Sequence, residues 1–214
     1  HLAFFFPNLQ FHYEDFLKSD AAAWTQDCPA PIAVGNLPYY LTSPILFHLL
    51  EGPIRWKRIV VMVQREVAGR MVAPPGGKIY GALSLKTRYF THPRLLMSMP
   101  PGEFHPPPQV HSQVVALEPR PDPLGGDMER RQRVFALIET AFQHRRKTLV
   151  NALGQGGWWA PDREALARAL EAIGVAPARR PETLALEEFF ALEAVLRGAA
   201  RINQSAKSQT ARDA

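Results

Sequence analysis

Proline constrains the fold of this chain more than any other residue type, because nine of its 20 prolines lie between Pro93 and Pro123. Proline fixes φ and lacks a backbone N–H donor, so this stretch cannot form a regular helix or a central strand throughout. Its sharpest break, the run EPRPDPLGG, predicts a linker at residues 119–126. The linker separates two parts of the chain. In the first part, strand-like and helix-like runs alternate, whereas in the second part all runs are helix-like.

The first part, residues 1–118, predicts an α/β sheet because strand-like and helix-like runs alternate along it. Strands are predicted at residues 9–13, 31–34, 58–64 and 113–117. Helices are predicted at residues 43–50 and 65–72. Residues 81–89 begin like a helix and end like a strand, and the pattern does not decide between the two.

The second part, residues 127–200, predicts a small all-helical domain. Apolar residues at helical spacing predict helices at residues 128–153, 162–173 and 186–196. Residues 201–214 have no aromatic residue and no apolar periodicity, so they predict a disordered tail.

Composition narrows the class of protein without fixing a function. Lys and Arg number 25 against 20 Asp and Glu, and this mild basic excess is compatible with a nucleic-acid partner. No apolar run approaches the roughly 18–20 residues that a membrane-spanning helix needs. The single cysteine, Cys28, excludes an internal disulfide and a cysteine-rich zinc site, and it fits a reducing cytoplasm.

The clearest candidate site is the turn Asn36-Leu37-Pro38-Tyr39, which follows the predicted strand at residues 31–34. Ligands of open α/β sheets lie at the carboxyl ends of strands. The Asn36 side-chain oxygen and the Leu37 carbonyl can both accept hydrogen bonds from an exocyclic amine. Pro38 stiffens the turn, and Tyr39 offers a face on which a flipped base can stack. A turn that only caps the next helix is the alternative interpretation.

Four blocks in order along the chain carry a family resemblance: NLPY at residues 36–39, QREVAGRM at 64–71, FHPPPQVHS at 104–112 and AFQHRRKTL at 141–149. Together they resemble the ribosomal RNA adenine dimethyltransferases, and the last block resembles the small-subunit branch. The resemblance implies a Rossmann-like class I methyltransferase sheet, incomplete at its N-terminus, followed by a small helical rRNA-binding domain. It also implies dimethylation of two adjacent adenosines near the 3′ end of small-subunit rRNA. S-adenosylmethionine would be the methyl donor, and no metal is expected.

The resemblance also assigns roles to single residues. Asn36 and Leu37 would accept hydrogen bonds from the adenine N6, and Tyr39 would stack on the base through its ring, without need of its hydroxyl. Phe104 would close the other side of the base, with a core aromatic beneath the prolines as the alternative interpretation. Asp15, in the segment FHYEDFL, would bind the adenine amine of S-adenosylmethionine, and Asn36 would also contact this cofactor.

Arg145, Arg146 and Lys147 place three cations within one turn of a predicted helix. Such a face suits the phosphates of structured RNA, and a plain solvated face is the alternative interpretation. By resemblance, the expected partners are small-subunit rRNA and a partly assembled small subunit. The protein is expected to be a cytoplasmic monomer without a membrane partner.

The sequence departs from the family pattern at the cofactor site, since it lacks the strand that ends in a Gly-x-Gly-x-Gly-like loop. Its one Gly-x-Gly, at residues 154–156, follows a helix and predicts a helix stop. We therefore expect an N-terminally truncated form of a larger enzyme, inactive alone and with an unpaired apolar edge at its first retained strand.

Two alternative functions stay open at this point. Adenine methylases of large-subunit rRNA share the NLPY-like turn, although the AFQHRRKTL block favours the small-subunit branch. A non-catalytic assembly factor that binds rRNA is the second alternative.

Overall fold

The computed structural model describes Phe6 and residues 8–121, 127–154, 156–159 and 162–210, with the backbone alone for residues 200–210. Residues 122–126 of the predicted linker and residues 211–214 of the predicted tail lie outside the described residues.

A four-stranded sheet forms the first part of the fold, in the spatial order β1-β2-β4-β3. Its strands are β1 (Ile32–Asn36), β2 (Arg58–Gln64), β3 (Thr91–Met99) and β4 (Ser112–Pro119). β1 and β2 are parallel, whereas β4 is antiparallel to both of its neighbours. Three strands therefore run in one direction, and β4 is the reversed strand.

The two edges of this sheet differ in how well the sequence predicts them. β1 forms one edge of the described sheet, and its Ile32 and Val34 side chains are exposed, as expected for an unpaired apolar edge. β3 forms the other edge and was not predicted, because Pro93 interrupts its pattern. An edge strand tolerates proline, since one side of its backbone needs no partner. Residues 9–13, predicted as a strand, have no regular secondary structure.

The helices of the described residues are α1 (Ala21–Thr25), α2 (Thr42–Glu51), α3 (Arg65–Val72), α4 (Ala82–Phe90), α5 (Met128–Gln143), α6 (Leu149–Leu153), α7 (Arg163–Ala172) and α8 (Leu186–Thr210). The single helix predicted over residues 128–153 is thus two helices. α8 runs ten residues into the predicted disordered tail, because an existing helix can extend without a new nucleus. None of the helices within the described ranges combines the length and apolar character needed to cross a membrane.

Two hydrophobic clusters form the core of the described residues. The first lies between the sheet and helices α2 and α3, where Leu46 and Ile59 are fully buried. The second joins the C-terminal helices to Leu85, Tyr89 and Phe90 of α4. Helix α4 precedes the predicted linker in sequence but packs in the helical core, so the two parts of the chain share a core.

Tyr80 is a fully buried residue of the second cluster, and its hydroxyl donates a 2.8 Å hydrogen bond to the Leu184 carbonyl. Burial raises the pKa of Tyr80 above its ordinary value, because a phenolate would lose its hydration there. The neutral phenol is therefore the form that stabilises the fold.

We expect Tyr80→Phe to lower the free energy of unfolding by about 1–3 kcal/mol near neutral pH, because the buried Leu184 carbonyl would lose its donor. Since the folded-state pKa is raised, this stabilisation is fully present below pH of about 10 and is lost as the pH rises beyond it. The variant should therefore lose stability less steeply than the parent at alkaline pH. Urea unfolding at neutral and alkaline pH measures both effects, and equal alkaline slopes would contradict the expectation.

Candidate functional site

The turn at residues 36–39 directly follows β1, as the sequence predicts. Asn36 is the last residue of β1 and is exposed. The Leu37 N–H donates a 3.1 Å hydrogen bond to the Met62 carbonyl of β2, and the Leu37 side chain is buried in the first cluster. These contacts fix the backbone next to Asn36, so its amide is held at the end of the sheet and stays open to solvent.

Pro38 leads from this turn into helix α2 through the 3₁₀ turn Tyr39–Leu41. Its carbonyl accepts hydrogen bonds of 3.0 Å from the Leu41 N–H and 3.1 Å from the Thr42 hydroxyl. The turn therefore does cap the following helix, but it does so through the Pro38 carbonyl. The Asn36 amide is left available, so capping and ligand binding are compatible here.

Tyr39 reaches across the end of the sheet to β4. Its hydroxyl lies 3.0 Å from the Ser112 hydroxyl, and either oxygen can be the donor. Ser112 is the first residue of β4, and β2 lies between β1 and β4, so this hydrogen bond spans the end of β2. Ser112 has no role that the sequence alone predicts, and its one signal is its place at the end of the FHPPPQVHS block.

The strand register brings three of the family-like blocks to this edge of the sheet. Gln64, the last residue of β2, pairs with Ser112 on one side. Met99, the last residue of β3, pairs with Ser112 on the other side. The carboxyl ends of the three strands that run together therefore meet the start of β4. The proline-rich loop at residues 100–111, which joins β3 to β4, belongs to the same edge.

Phe104 lies in that proline-rich loop, directly after the 3₁₀ turn Pro101–Glu103. It is half-buried, and within the described residues it belongs to neither hydrophobic cluster. The interpretation of Phe104 as a core aromatic therefore loses support. Its loop lies at the same sheet edge as the Asn36 turn, which is the placement that closing a bound base requires.

A cleft of about 260 Å³ opens at this edge, lined by Gln64, Arg65, Glu66, Gln109, Val110 and His111. The Arg65 N–H donates a 2.9 Å hydrogen bond to the His111 carbonyl, which joins the start of α3 to the proline-rich loop. The lining combines two side-chain amides, one guanidinium, one imidazole, one carboxylate and one apolar side chain, so it offers both donors and acceptors of hydrogen bonds.

Asp15 lies in a separate segment, before the 3₁₀ turn Phe16–Lys18. One carboxylate oxygen accepts a 3.1 Å hydrogen bond from the Leu17 N–H, and the other lies 3.6 Å from the Lys18 ammonium. The carboxylate is half exposed, so it keeps capacity to accept a further hydrogen bond. The ring of Phe16 packs edge-on against His48 of α2, which attaches the segment to the first part of the fold.

The predicted basic face on a helix is wrong in its geometry. Helix α5 ends at Gln143, and residues 144–148 form a turn in which the Lys147 N–H donates a 2.8 Å hydrogen bond to the His144 carbonyl. Thr148 then has the extended backbone of a residue that precedes a new helix. Arg145, Arg146 and Lys147 therefore do not share one face of a helix.

The three cations of this turn have different environments. Arg145 is half-buried, and its guanidinium donates a 3.1 Å hydrogen bond to the Gly77 carbonyl in the loop between α3 and α4. Arg146 and Lys147 are exposed. One cation thus holds two parts of the chain together, and two are accessible to phosphates.

The Gly-x-Gly at residues 154–156 begins at the end of α6, in agreement with the predicted helix stop. The Gly154 N–H donates a 2.9 Å hydrogen bond to the Val150 carbonyl. A Cβ at this position would lie 2.8 Å from the same carbonyl oxygen, which explains why glycine stands there. Gln155 lies outside the described residues.

The described residues have a Rossmann-like methyltransferase fold followed by a helical part. This fold is defined by parallel strands connected by helices, by one reversed strand and by the turn at the end of a strand. A family model described as "Ribosomal RNA adenine dimethylase" matches residues 4–193. The chain belongs to this family.

Curated relatives agree with that assignment. The "Ribosomal RNA small subunit methyltransferase A" of Moorella thermoacetica is 43% identical over 78% of this chain and 57% of its own length. The protein of that name from Streptococcus pneumoniae is 39% identical over 90% of this chain and 68% of its own length. The chain thus spans between about half and two thirds of the length of the relatives it matches.

Among solved structures, a dimethyladenosine transferase from Plasmodium falciparum superposes with a TM-score of 0.71 and 23% identity, over 89% of this chain and 73% of that one. The 23S rRNA methyltransferase ErmE superposes with a TM-score of 0.65 and 22% identity, over 92% of this chain and 75% of that one. At these identities the likeness concerns the fold.

Proposed function

We propose that the complete product of this gene transfers methyl groups from S-adenosylmethionine to the N6 atoms of two adjacent adenosines near the 3′ end of small-subunit rRNA. The observation that carries the proposal is the turn at residues 36–39, which holds an exposed Asn36 at the carboxyl end of β1 in a chain of the rRNA adenine dimethylase family. The names of the curated relatives favour a small-subunit target over a large-subunit one. The partner would be a partly assembled small subunit, which this protein would bind as a monomer in the cytoplasm.

In this proposal the turn positions the attacking nitrogen. The Asn36 oxygen and the Leu37 carbonyl accept hydrogen bonds from N6, whose lone pair is otherwise delocalised into the adenine ring. Two acceptors favour a pyramidal and more nucleophilic nitrogen. Tyr39 stacks on one face of the base, and Phe104 covers the other. Orientation of this kind is worth roughly 7–11 kcal/mol of the barrier.

The methyl donor, when bound, would supply a methyl group made electrophilic by its sulfonium. The N6–C bond would form as the S–C bond breaks, its electron pair would stay on the sulfur of a neutral thioether product, and one N6 proton would pass to water. Asp15 and Asn36 are the residues of this chain that would contact it. The half-exposed Asp15 carboxylate can accept a hydrogen bond from an adenine amine in addition to that from Leu17. Each of the two residues offers a hydrogen-bond acceptor to part of the nucleoside, whereas this sequence has no Gly-x-Gly-x-Gly-like loop to hold the rest.

We expect the 214-residue chain alone to show no micromolar affinity for S-adenosylmethionine, because Asp15 and Asn36 supply too few contacts to offset the lost freedom of the ligand. Isothermal titration calorimetry with the folded chain measures this directly. A member of the same family whose sequence contains the Gly-x-Gly-x-Gly-like loop, titrated in parallel, is the positive control. Micromolar binding by the 214-residue chain would contradict the expectation.

Methyl transfer tests the function itself. The complete gene product is incubated with radiolabelled S-adenosylmethionine and, in separate reactions, with small subunits or large subunits that lack the modification, and the methylated positions are mapped by primer extension. Label on two adjacent adenosines near the 3′ end supports the proposal. Label confined to large-subunit rRNA would favour the large-subunit methylases, and tight subunit binding without transfer would favour a non-catalytic assembly factor.

A further inference from the structure

We propose that Ser112 is a positioning residue that fixes the ring of Tyr39 for stacking on the target base. The proposal rests on the function proposed above and deepens it. Its starting observation is the 3.0 Å hydrogen bond between the two hydroxyls, which joins residues 73 positions apart in the sequence. Stacking on a base needs only the ring of Tyr39, so this bond gives the hydroxyl a task of its own.

Ser112 is suited to this task because it cannot move easily. It is 1% exposed and begins β4, a strand with neighbours on both sides. Its backbone is held from both sides, by Gln64 of β2 and by Met99 of β3. A hydroxyl on such a backbone keeps its position, whereas a hydroxyl on a loop would move with the loop.

Tyr39, in contrast, needs a contact that holds its ring in one position. Its backbone lies in the 3₁₀ turn after Pro38, and its side chain is 39% exposed. An exposed ring samples several rotamers, and ordering it when the base arrives would reduce the rate. The bond to Ser112 holds the far end of the ring across the end of β2 before the base arrives. The partly exposed ring surface stays available for stacking.

This arrangement makes a specific prediction about pairs of variants. Ser112 acts through Tyr39, so removing either hydroxyl should remove the same hydrogen bond. We expect Ser112→Ala and Tyr39→Phe each to lower kcat/KM for the small subunit about three- to tenfold, the range that one ordinary hydrogen bond supports. The double variant should be no worse than either single variant, because coupled residues are not additive.

The experiment measures methyl transfer by the complete gene product and these three variants. Ser112→Thr, which keeps a hydroxyl, should rescue transfer, and affinity for S-adenosylmethionine should be unchanged in all of them. Tyr40→Phe is the matched control, because Tyr40 is the neighbouring tyrosine and is 83% exposed. Parent-like transfer by Ser112→Ala, or additive losses in the double variant, would overturn the proposal.

A second measurement does not depend on turnover. The complete gene product is labelled with 3-fluorotyrosine, and the Tyr39 signal is assigned in the ¹⁹F spectrum by its loss in Tyr39→Phe. Ser112→Ala should shift this signal and Ser112→Thr should largely restore it. An unmoved signal would overturn the proposal. If the parent transfers no methyl group, the proposed function fails, and the spectrum still decides whether Ser112 holds the ring.

Discussion

Asn36→Ala should lower methyl transfer by the complete gene product roughly 10²- to 10³-fold, the loss typical when one preorganised polar group aimed at the reacting centre is removed. The change removes an acceptor that N6 needs at the moment of attack. It should therefore appear in kcat, while affinity for the small subunit changes little, because most of that interface lies elsewhere. Single-turnover transfer to saturating small subunits, with a separate binding titration, measures the two quantities.

Two further variants show whether the loss of turnover is caused by removal of the hydrogen-bond acceptor at Asn36. Asn36→Asp keeps an oxygen at the same position and should retain part of the turnover. Tyr40→Ala alters an exposed neighbour on the same turn and should leave transfer near the parent value. Since Asn36 is itself exposed, none of these changes should move the melting temperature by more than a few degrees. Near-parent turnover by Asn36→Ala would reduce Asn36 to a turn residue.

The sequence predicts the interior of the sheet better than its edges, for a physical reason. β2 and α3 occupy the predicted ranges, because the unbroken apolar run of β2 and the helical pattern of α3 reflect burial in the core. β3 is an edge strand whose residues are mostly exposed and include Pro93. Such a strand is specified by its pairing with β4, and pairing partners are not visible in local composition.

The candidate site likewise has one part that the sequence predicts and one part that it does not. The turn at residues 36–39 could be placed from the sequence, since a strand and the turn that follows it are contiguous. The Tyr39–Ser112 hydrogen bond could not, because it depends on the order β1-β2-β4 and on the register of each pair. Helical periodicity likewise did not reveal that α5 ends at Gln143, because the next apolar residue, Leu149, follows Phe142 by seven residues, which is two helical turns.

The break after α5 changes what the basic run can do. In the predicted continuous helix, Lys147 would align with His144, and Arg145 would lie beside them on one basic face. In the turn, Arg145 instead binds the Gly77 carbonyl, so its replacement would loosen the loop between α3 and α4. A variant that changes all three residues would therefore mix a structural effect with an electrostatic one. A clean test changes the two exposed cations alone.

Arg146→Gln combined with Lys147→Gln should weaken binding to the small subunit at every ionic strength and should flatten its salt dependence. Each lost phosphate contact releases about one fewer counterion, so the slope of log K against log salt should fall by about two. Affinity of the complete gene product for S-adenosylmethionine should not change, because the turn at residues 144–148 is remote in sequence from Asp15 and Asn36 and has its own contacts. Binding titrations at several salt concentrations measure the slope.

Two single variants separate charge from structure in the same titrations. Arg168→Gln removes one exposed charge from α7 and controls for net charge, so its salt curve should coincide with that of the parent. Arg145→Gln should lower the free energy of unfolding by about 1 kcal/mol through the lost bond to Gly77. Salt curves of the double variant that superimpose on the parent's would mean that Arg146 and Lys147 are a solvated surface. The case for an rRNA partner would then depend on the turn at the end of β1 and on family membership.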